Sequence, residues 1–151
     1  MRAVVQRVSS AKVTVDEKTI GSIGKGFLIL VGIEADDGKE DAEWLAAKIS
    51  SMRIFSDAEG KMNLDITEAG GSVLLVSQFT LHASYKKGNR PSFIRAARPE
   101  QAVPLYEYFI SLFIAQHGAD RVSTGEFGAD MAVSLINDGP VTICLDTRNK
   151  E

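Results

Sequence analysis

The run Ser72-Val73-Leu74-Leu75-Val76-Ser77-Gln78-Phe79-Thr80-Leu81 decides the fold. Four consecutive aliphatics behind Gly70-Gly71 read as a strand covered on both faces, because a strand with one wet face alternates apolar and polar residues. The run then turns polar, with Ser77, Gln78 and Thr80 interleaved with Phe79 and Leu81. Hydroxyls and an amide at the end of a buried strand can present side-chain oxygens and backbone N–H groups to a ligand. The same residues also cap local backbone groups, which is the commoner use of Ser and Thr. A second unusual run, Asn137-Asp138-Gly139-Pro140-Val141-Thr142, shifts the balance towards function.

Upstream, Phe27-Leu28-Ile29-Leu30-Val31 is another strand of the fully buried kind, set off by Gly21, Gly24 and Gly26. The segment Gly21 to Gly26 is not a phosphate loop, since it lacks the closing Gly-Lys-Ser/Thr and a helix after it. Residues Arg2 to Val8 and Lys12 to Val15 alternate in polarity and predict a hairpin turning at Ser9-Ser10. Ala42, Leu45, Ala46 and Ile49 recur at helical spacing, so an amphipathic helix is expected over 39–51, with Asp36-Asp37-Gly38 as its turn and cap. Trp44 falls off that stripe. Arg53-Ile54-Phe55 reads as a short strand, and Met62 to Ile66 leads back towards the central one.

Downstream, Arg98-Pro99-Glu100 opens a second helix whose Leu105, Phe109, Leu112 and Phe113 face runs to a stop at Gly118. Pro104, in the opening turns, could move its start. Val122 to Thr124, Ala129 to Ile136 and Val141 to Leu145 close the chain as strands, with Asp138-Gly139-Pro140 between the last two. The expected fold is α/β: a single mixed, largely antiparallel sheet with two main helices, forming one domain over residues 1–151.

At 44% hydrophobic and 25% charged residues, the chain has the makeup of a globular domain that can bury a proper core. Its only cysteine, Cys144, excludes an internal disulfide and a cysteine-rich metal site, and its apolar surroundings read as core. Two histidines, His82 and His117, are too few for a conventional zinc site, and nothing in the sequence argues for a metal or an organic cofactor. There is no signal-peptide pattern and no apolar stretch of about 18 residues, so a cytoplasmic protein is expected. The net charge of -3 argues against binding nucleic acid over the whole surface. From Ala69 to Pro99, however, there is no Asp or Glu, and that window carries Lys86, Lys87, Arg90, Arg95 and Arg98. A basic patch just after the Ser77–Leu81 run suggests an anionic substrate, phosphate or RNA, with a merely solvated loop as the plain alternative.

Ser77-Gln78-Phe79-Thr80-Leu81 and Asn137-Asp138-Gly139-Pro140-Val141-Thr142, in this order and at this separation, closely resemble the D-aminoacyl-tRNA deacylases. The resemblance covers essentially the whole chain. It takes in Arg7-Val8, the Gly21 to Gly32 segment, Lys87-Gly88-Asn89-Arg90-Pro91-Ser92-Phe93, and Thr124-Gly125-Glu126-Phe127-Gly128-Ala129-Asp130-Met131. It implies a barrel-like sheet and a homodimer with its active site at the subunit interface. It implies hydrolysis of the ester that joins a D-amino acid to the 3′ adenosine of tRNA. It also implies a cis Gly139–Pro140 bond that reaches into the partner's pocket, facing Ser77–Thr80, with Arg7 holding that element in place. The sequence departs from many members at His82-Ala83-Ser84-Tyr85, which leaves the rim less well defined than the pocket.

The residues can support that chemistry. Ester hydrolysis needs a nucleophile and donors for the developing oxyanion. The backbone N–H groups of Phe79 and Thr80 are the natural donors. Thr80 as nucleophile would need an activating base, and His82 would share its face only if the strand continued. Water helped by the ribose 2′-hydroxyl is the favoured attacker, with Thr80 as the competing one. Ser77 and Gln78 would fix the substrate or the strand. Phe79, Phe127 and Met131 are candidates for the wall of the pocket, or else plain core. Carbonyls of Gly139 and Pro140 could accept hydrogen bonds from the substrate's α-ammonium, leaving an L side chain to collide with backbone. Lys86, Lys87 and Arg90 are candidates for phosphate contacts. Rival functions are editing of a wrong L-aminoacyl-tRNA and non-catalytic RNA binding.

Overall fold

The computed structural model describes residues 1–151. Eight strands and two helices follow in the order β1 (Arg2–Val15), β2 (Lys18–Ile23), β3 (Gly26–Gly32), α1 (Lys39–Ser50), β4 (Phe55–Ser56), β5 (Met62–Leu64), β6 (Ser72–Ser77), α2 (Pro99–His117), β7 (Val122–Thr124) and β8 (Ala132–Asp146). The large sheet runs β2-β1-β3-β6-β7, with β8 also paired to β1. The β1 pairings are antiparallel, whereas β3–β6 and β6–β7 are parallel. β2 and β3 lie end to end along β1, the first opposite Ala11–Val15 and the second opposite Arg2–Val8. The two ends of the path approach each other, with the Ser123 hydroxyl donating to the Ser22 carbonyl at 3.2 Å. The sheet is therefore nearly closed, like a barrel.

Closure explains the unbroken apolar runs. Phe27, Ile29, Val31, Val73 and Leu75 belong to the core under the helices, along with Leu45, Ile49, Phe109 and Phe113. Leu28, Leu74 and Val76 point the other way and pack with Val8, Ala11 and Val13 inside the curved sheet. Both faces of β3 and β6 are dry along Phe27–Val31 and Val73–Val76, so every residue of those runs is apolar, and each fully buried large side chain contributes roughly 1.5–3 kcal/mol.

Three expectations change. The hairpin does not turn at Ser9-Ser10, because β1 runs straight through them and the turn to β2 is at Asp16-Glu17, both left-handed (φ 48° and 64°). That backbone is the one two-residue hairpins favour. Ser9-Ser10 instead mark an irregularity in the pairing with β8. The two closing strands are one element, β8, interrupted by a bulge at residues 138–141. Cys144 is exposed on the outward face of β8 rather than in the core. The helices lie where expected: α2 starts at Pro99 and passes through Pro104 without a break. The short strands trim to Phe55–Ser56 and Met62–Leu64. Trp44 is half-buried, with the Lys150 ammonium 4.5 Å from its ring centroid.

His117 closes α2 by stacking on Phe113, with Ser50 Oγ 2.9 Å from its Nε2. Burial pushes its pKa down, with Asp65 opposing in part. Asp41 and Asp146 sit below the usual carboxylate range. Burial alone would raise both, but backbone N–H donors and cationic groups outweigh it. A histidine lowered in the folded state leaves the unfolded chain to take up the proton first. Stability is therefore full above the ordinary histidine value of about 6.5 and falls as pH drops towards the folded one. The thermal midpoint should fall between pH 7.5 and 5.5, and fall less in His117→Gln. Equal falls in the two proteins would mean that His117 does not carry this slope.

Candidate active site

The central strand ends at Ser77, one residue after the last aliphatic, and the chain then tightens into a 3₁₀ turn, Phe79–His82. Gln78 is the hinge: its N–H still donates to the Val31 carbonyl of β3 at 2.7 Å, while its own carbonyl accepts from Leu81 N–H at 3.2 Å. Ala83 N–H closes the turn on the Thr80 carbonyl at 3.0 Å. The N–H groups of Phe79 and Thr80 precede the first bond of the turn, so the turn itself leaves them undonated, as any helix start does. The Gln78 side-chain amide donates to Thr80 Oγ.

A cavity of about 280 Å³ opens beside this turn. Ser77, Gln78 and Phe79 form one wall, and Phe127, Gly128, Ala129, Asp130 and Met131 the facing one. Val31, Ile33, Ala97 and Ala102 make the apolar floor. Five of the sequence-predicted site residues are thus brought together, Ser77, Gln78, Phe79, Phe127 and Met131, whereas Thr80, expected to line the site, is on the turn but not among the lining residues. Tyr106, which the sequence reading did not single out, braces the wall from behind. Its hydroxyl donates to the Leu75 carbonyl at 3.0 Å, and burial holds its pKa far above the usual tyrosine value, so it remains a neutral donor. Its position on the apolar face of α2 gave no local signal of that role.

Arg7, Gly139 and Pro140 do not line this cavity. They form a separate feature, the bulge of β8. Gln6 pairs with Thr142 and Val8 with Asn137, so Arg7 alone stands opposite residues 138–141. The unmatched length is thrown outwards, and Asp138, Gly139 and Pro140 are exposed. The Gly139–Pro140 bond is cis, as the resemblance implies. Asn137 staples the base of the bulge, accepting from Val141 N–H at 3.0 Å and donating to Thr142 Oγ at 3.0 Å. Gly139 has a φ of 134°, and a Cβ there would meet Val141 Cγ2 at 2.8 Å and Arg7 Nη2 at 3.0 Å. Only glycine fits without displacement.

Arg7 is buried under the bulge. Its Nε donates to the Asp138 carbonyl at 3.0 Å and its Nη1 to the Ile54 carbonyl at 2.6 Å, with the Asp138 carboxylate 3.5 Å away. Lys86, Lys87 and Arg90 lie on an exposed loop, bridged at its base by Ser84 and Ser92. The guanidinium reaches the two carbonyls from separate nitrogens held in a fixed fork, whereas an ammonium has one nitrogen on a flexible stem. Arg7→Lys should therefore lower unfolding stability in urea by about 1.5–3 kcal/mol, the scale of a hydrogen bond to a charged group. A loss below about 0.5 kcal/mol would show that the bulge holds its shape without this clamp.

Comparison with known proteins identifies relatives over the whole chain. The family described as D-Tyr-tRNA(Tyr) deacylase matches residues 4–146. Curated relatives named D-aminoacyl-tRNA deacylase include those of Akkermansia muciniphila, 63% identical over 151 residues, and Bacteroides thetaiotaomicron, 61% identical over 151, each covering 100% of both chains. Among solved structures, one titled c-Myc DNA Unwinding Element Binding Protein superposes with a TM-score of 0.92 at 40% identity, covering 97% of this chain and 98% of that one. Another, titled as a probable eukaryotic D-amino acid tRNA deacylase, superposes with a TM-score of 0.82 over 95% of this chain and 97% of its own, and at 18% identity it speaks for the fold alone. These matches, over nearly the whole chain, establish that it belongs to the D-Tyr-tRNA(Tyr) deacylase family.

Proposed function

We propose that residues 1–151 act as one domain that hydrolyses the ester of D-aminoacyl-tRNA, releasing the free D-amino acid and tRNA. As a family member, the chain is a hydrolase of the aminoacyl-tRNA ester bond. The observation that carries the finer reading is the pairing of two incomplete features: a cavity edged by Phe79, on a turn whose first N–H groups make no bond within it, and a clamped backbone bulge that its own chain does not use. A homodimer completes both, with the Gly139–Pro140 bulge of one protomer entering the cavity of its partner. The exposed apolar residues Phe79 (56% exposed), Ile136 (62%) and Ile94 (92%) favour such a contact. The substrate is made where tRNA is charged, in the cytoplasm.

The chemistry follows from the donors. Phe79 and Thr80 N–H groups would hold the oxyanion as the ester carbon becomes tetrahedral. Water attacks, aided by the 2′-hydroxyl of the terminal ribose, and the ribose 3′-oxygen leaves. Thr80 as nucleophile finds no support: its hydroxyl is engaged by Gln78, and the nearest histidine in sequence, His82, is fully buried. No strand continues past Ser77 to put that ring on the Thr80 face. The carbonyls of Gly139 and Pro140 would accept from the α-ammonium. An L side chain then meets main chain, and a D side chain points away. Recognition by backbone accepts many side chains, and it gives glycine, which has none, no ground for rejection. Glycyl-tRNA should be cleaved as well.

Wild-type protein incubated with D-Tyr-tRNA and L-Tyr-tRNA should cleave the first and spare the second. Cleavage of the L ester would favour editing of L-aminoacyl-tRNA, and binding without cleavage would favour an RNA-binding module. Gly139→Ala should erode the D-over-L preference, because its Cβ displaces the bulge. In single turnover, Thr80→Ala should retain most of the rate, and total loss with binding intact would make Thr80 the nucleophile. Lys86, Lys87 and Arg90, none of them in an ion pair, would contact acceptor-stem phosphates. KM should then rise steeply with salt, and a flat response would remove them from the substrate's path.

A further inference from the structure

His82 is the last residue of the turn that carries Phe79 and Thr80. Its ring is fully buried, and it packs against Gly32 so closely that a Cβ there would stand 2.9 Å from Cδ2 and 3.1 Å from Nε2. Nδ1 lies 3.3 Å from Glu34 Oε1, and Arg95 Nη2 lies 2.5 Å from the same oxygen. These are ion-contact distances without hydrogen-bond angles: Glu34 Oε1 and both ring nitrogens of His82 are buried with no hydrogen-bond partner. Folded proteins keep few such groups, and each one calls for a reason. The hydrolysis derived above uses none of the three.

The location supplies a reason. The turn is tied at its start by Gln78 N–H to Val31, and Arg2 Nη1 donates to the Leu81 carbonyl at 3.0 Å. His82 is its third tether, and the only one that ends on a carboxylate shared with another loop. Glu34 bridges to Ala96, and Ala97 N–H donates to the Ile33 carbonyl at 2.9 Å, so the end of the basic loop is stitched to the same short segment. Arg148 Nε also faces Glu34, 3.9 Å from Oε2.

We propose that His82 and Glu34 form a positioning pair, Nδ1–H towards the carboxylate, that sets the angle of the turn carrying the Phe79 and Thr80 N–H groups beside the cavity. Arg95 steadies Glu34 for that purpose. The loop that would bind phosphate and the turn that would meet the ester carbonyl thereby share one carboxylate. The assignment rests on the hydrolytic reading above, but its test need not.

His82→Phe keeps the bulk of the ring and removes the donor. Glu34→Gln keeps the shape of its partner and removes the charge. Each should lower kcat for D-Tyr-tRNA by about ten- to a hundredfold, the scale of a misplaced catalytic contact, with KM within about twofold. The double variant should be no slower than the slower single one, because paired residues are not additive. His82→Asn, whose amide can donate from near the Nδ1 position, should recover most of the rate. Hydrogen exchange over residues 77–83 reads the pair without any substrate and should quicken in His82→Phe and Glu34→Gln alone among the core segments. Unchanged kcat and unchanged exchange in both variants would overturn the pair, as would losses that multiply in the double variant. Quickened exchange in a protein that cleaves no D-aminoacyl ester would keep the pair and overturn the hydrolytic reading instead.

Discussion

Everything else in the molecule hangs on the parallel pairing of β3 with β6. Parallel strands are buried on both faces, and here the two faces serve two different cores. One lies under α1 and α2, the other inside the curved sheet. The pairing begins where Gly26 meets Ser72, at a separation that leaves no room for a side chain: a Cβ on Gly26 would stand 1.8 Å from the Ser72 carbonyl oxygen. Any other residue there would push the strands apart at the start of the ladder. At its far end the ladder stops with Val31 opposite Ser77, and the chain must leave the sheet. The turn that follows is where the undonated N–H groups appear. The same contact that builds the core thus delivers the site.

The second feature comes from a mismatch. β1 and β8 run antiparallel over nearly their whole length, but β8 has more residues than β1 can match beside Arg7. The surplus leaves the sheet as a short bulge. Its stiffness comes from three sources acting together: the Asn137 staple, the forked Arg7 clamp, and the Pro140 ring, which fixes its own φ. A backbone held this way can present carbonyls at fixed positions, as stereochemical selection by main chain requires.

Much of this was legible in residue patterns. The two buried strands, the helix stripes and the special character of Ser77–Leu81 and Asn137–Thr142 all rest on local composition. Five residues that line the cavity, Ser77, Gln78, Phe79, Phe127 and Met131, are among those the sequence singles out, the last three of them equally readable as core. What escaped was pairing. Ser9-Ser10 looks like a turn because two polar residues interrupt an alternating strand, yet β8 and the neighbouring strands hold the chain straight there. Cys144 looks buried because its neighbours are apolar, but on β8 every second residue faces outwards and Cys144 falls on that face. Tyr106 and Gly32 act on the site from other elements, with nothing in their own surroundings to mark them.

By itself the sequence determined where most strands and helices lie, which of them must lie between two apolar layers, and which short motifs are candidates for chemistry. Those properties depend on periodicity and on the intrinsic habits of glycine and proline, which operate over a few residues. The tertiary structure alone decided where β1 turns, that β8 is one strand with a bulge, and that His82 sits behind the donor turn on a carboxylate rather than in front of it. Each of those is a question of register between residues far apart in the chain. Register is set by what the sheet and core will accommodate, and no local pattern records it.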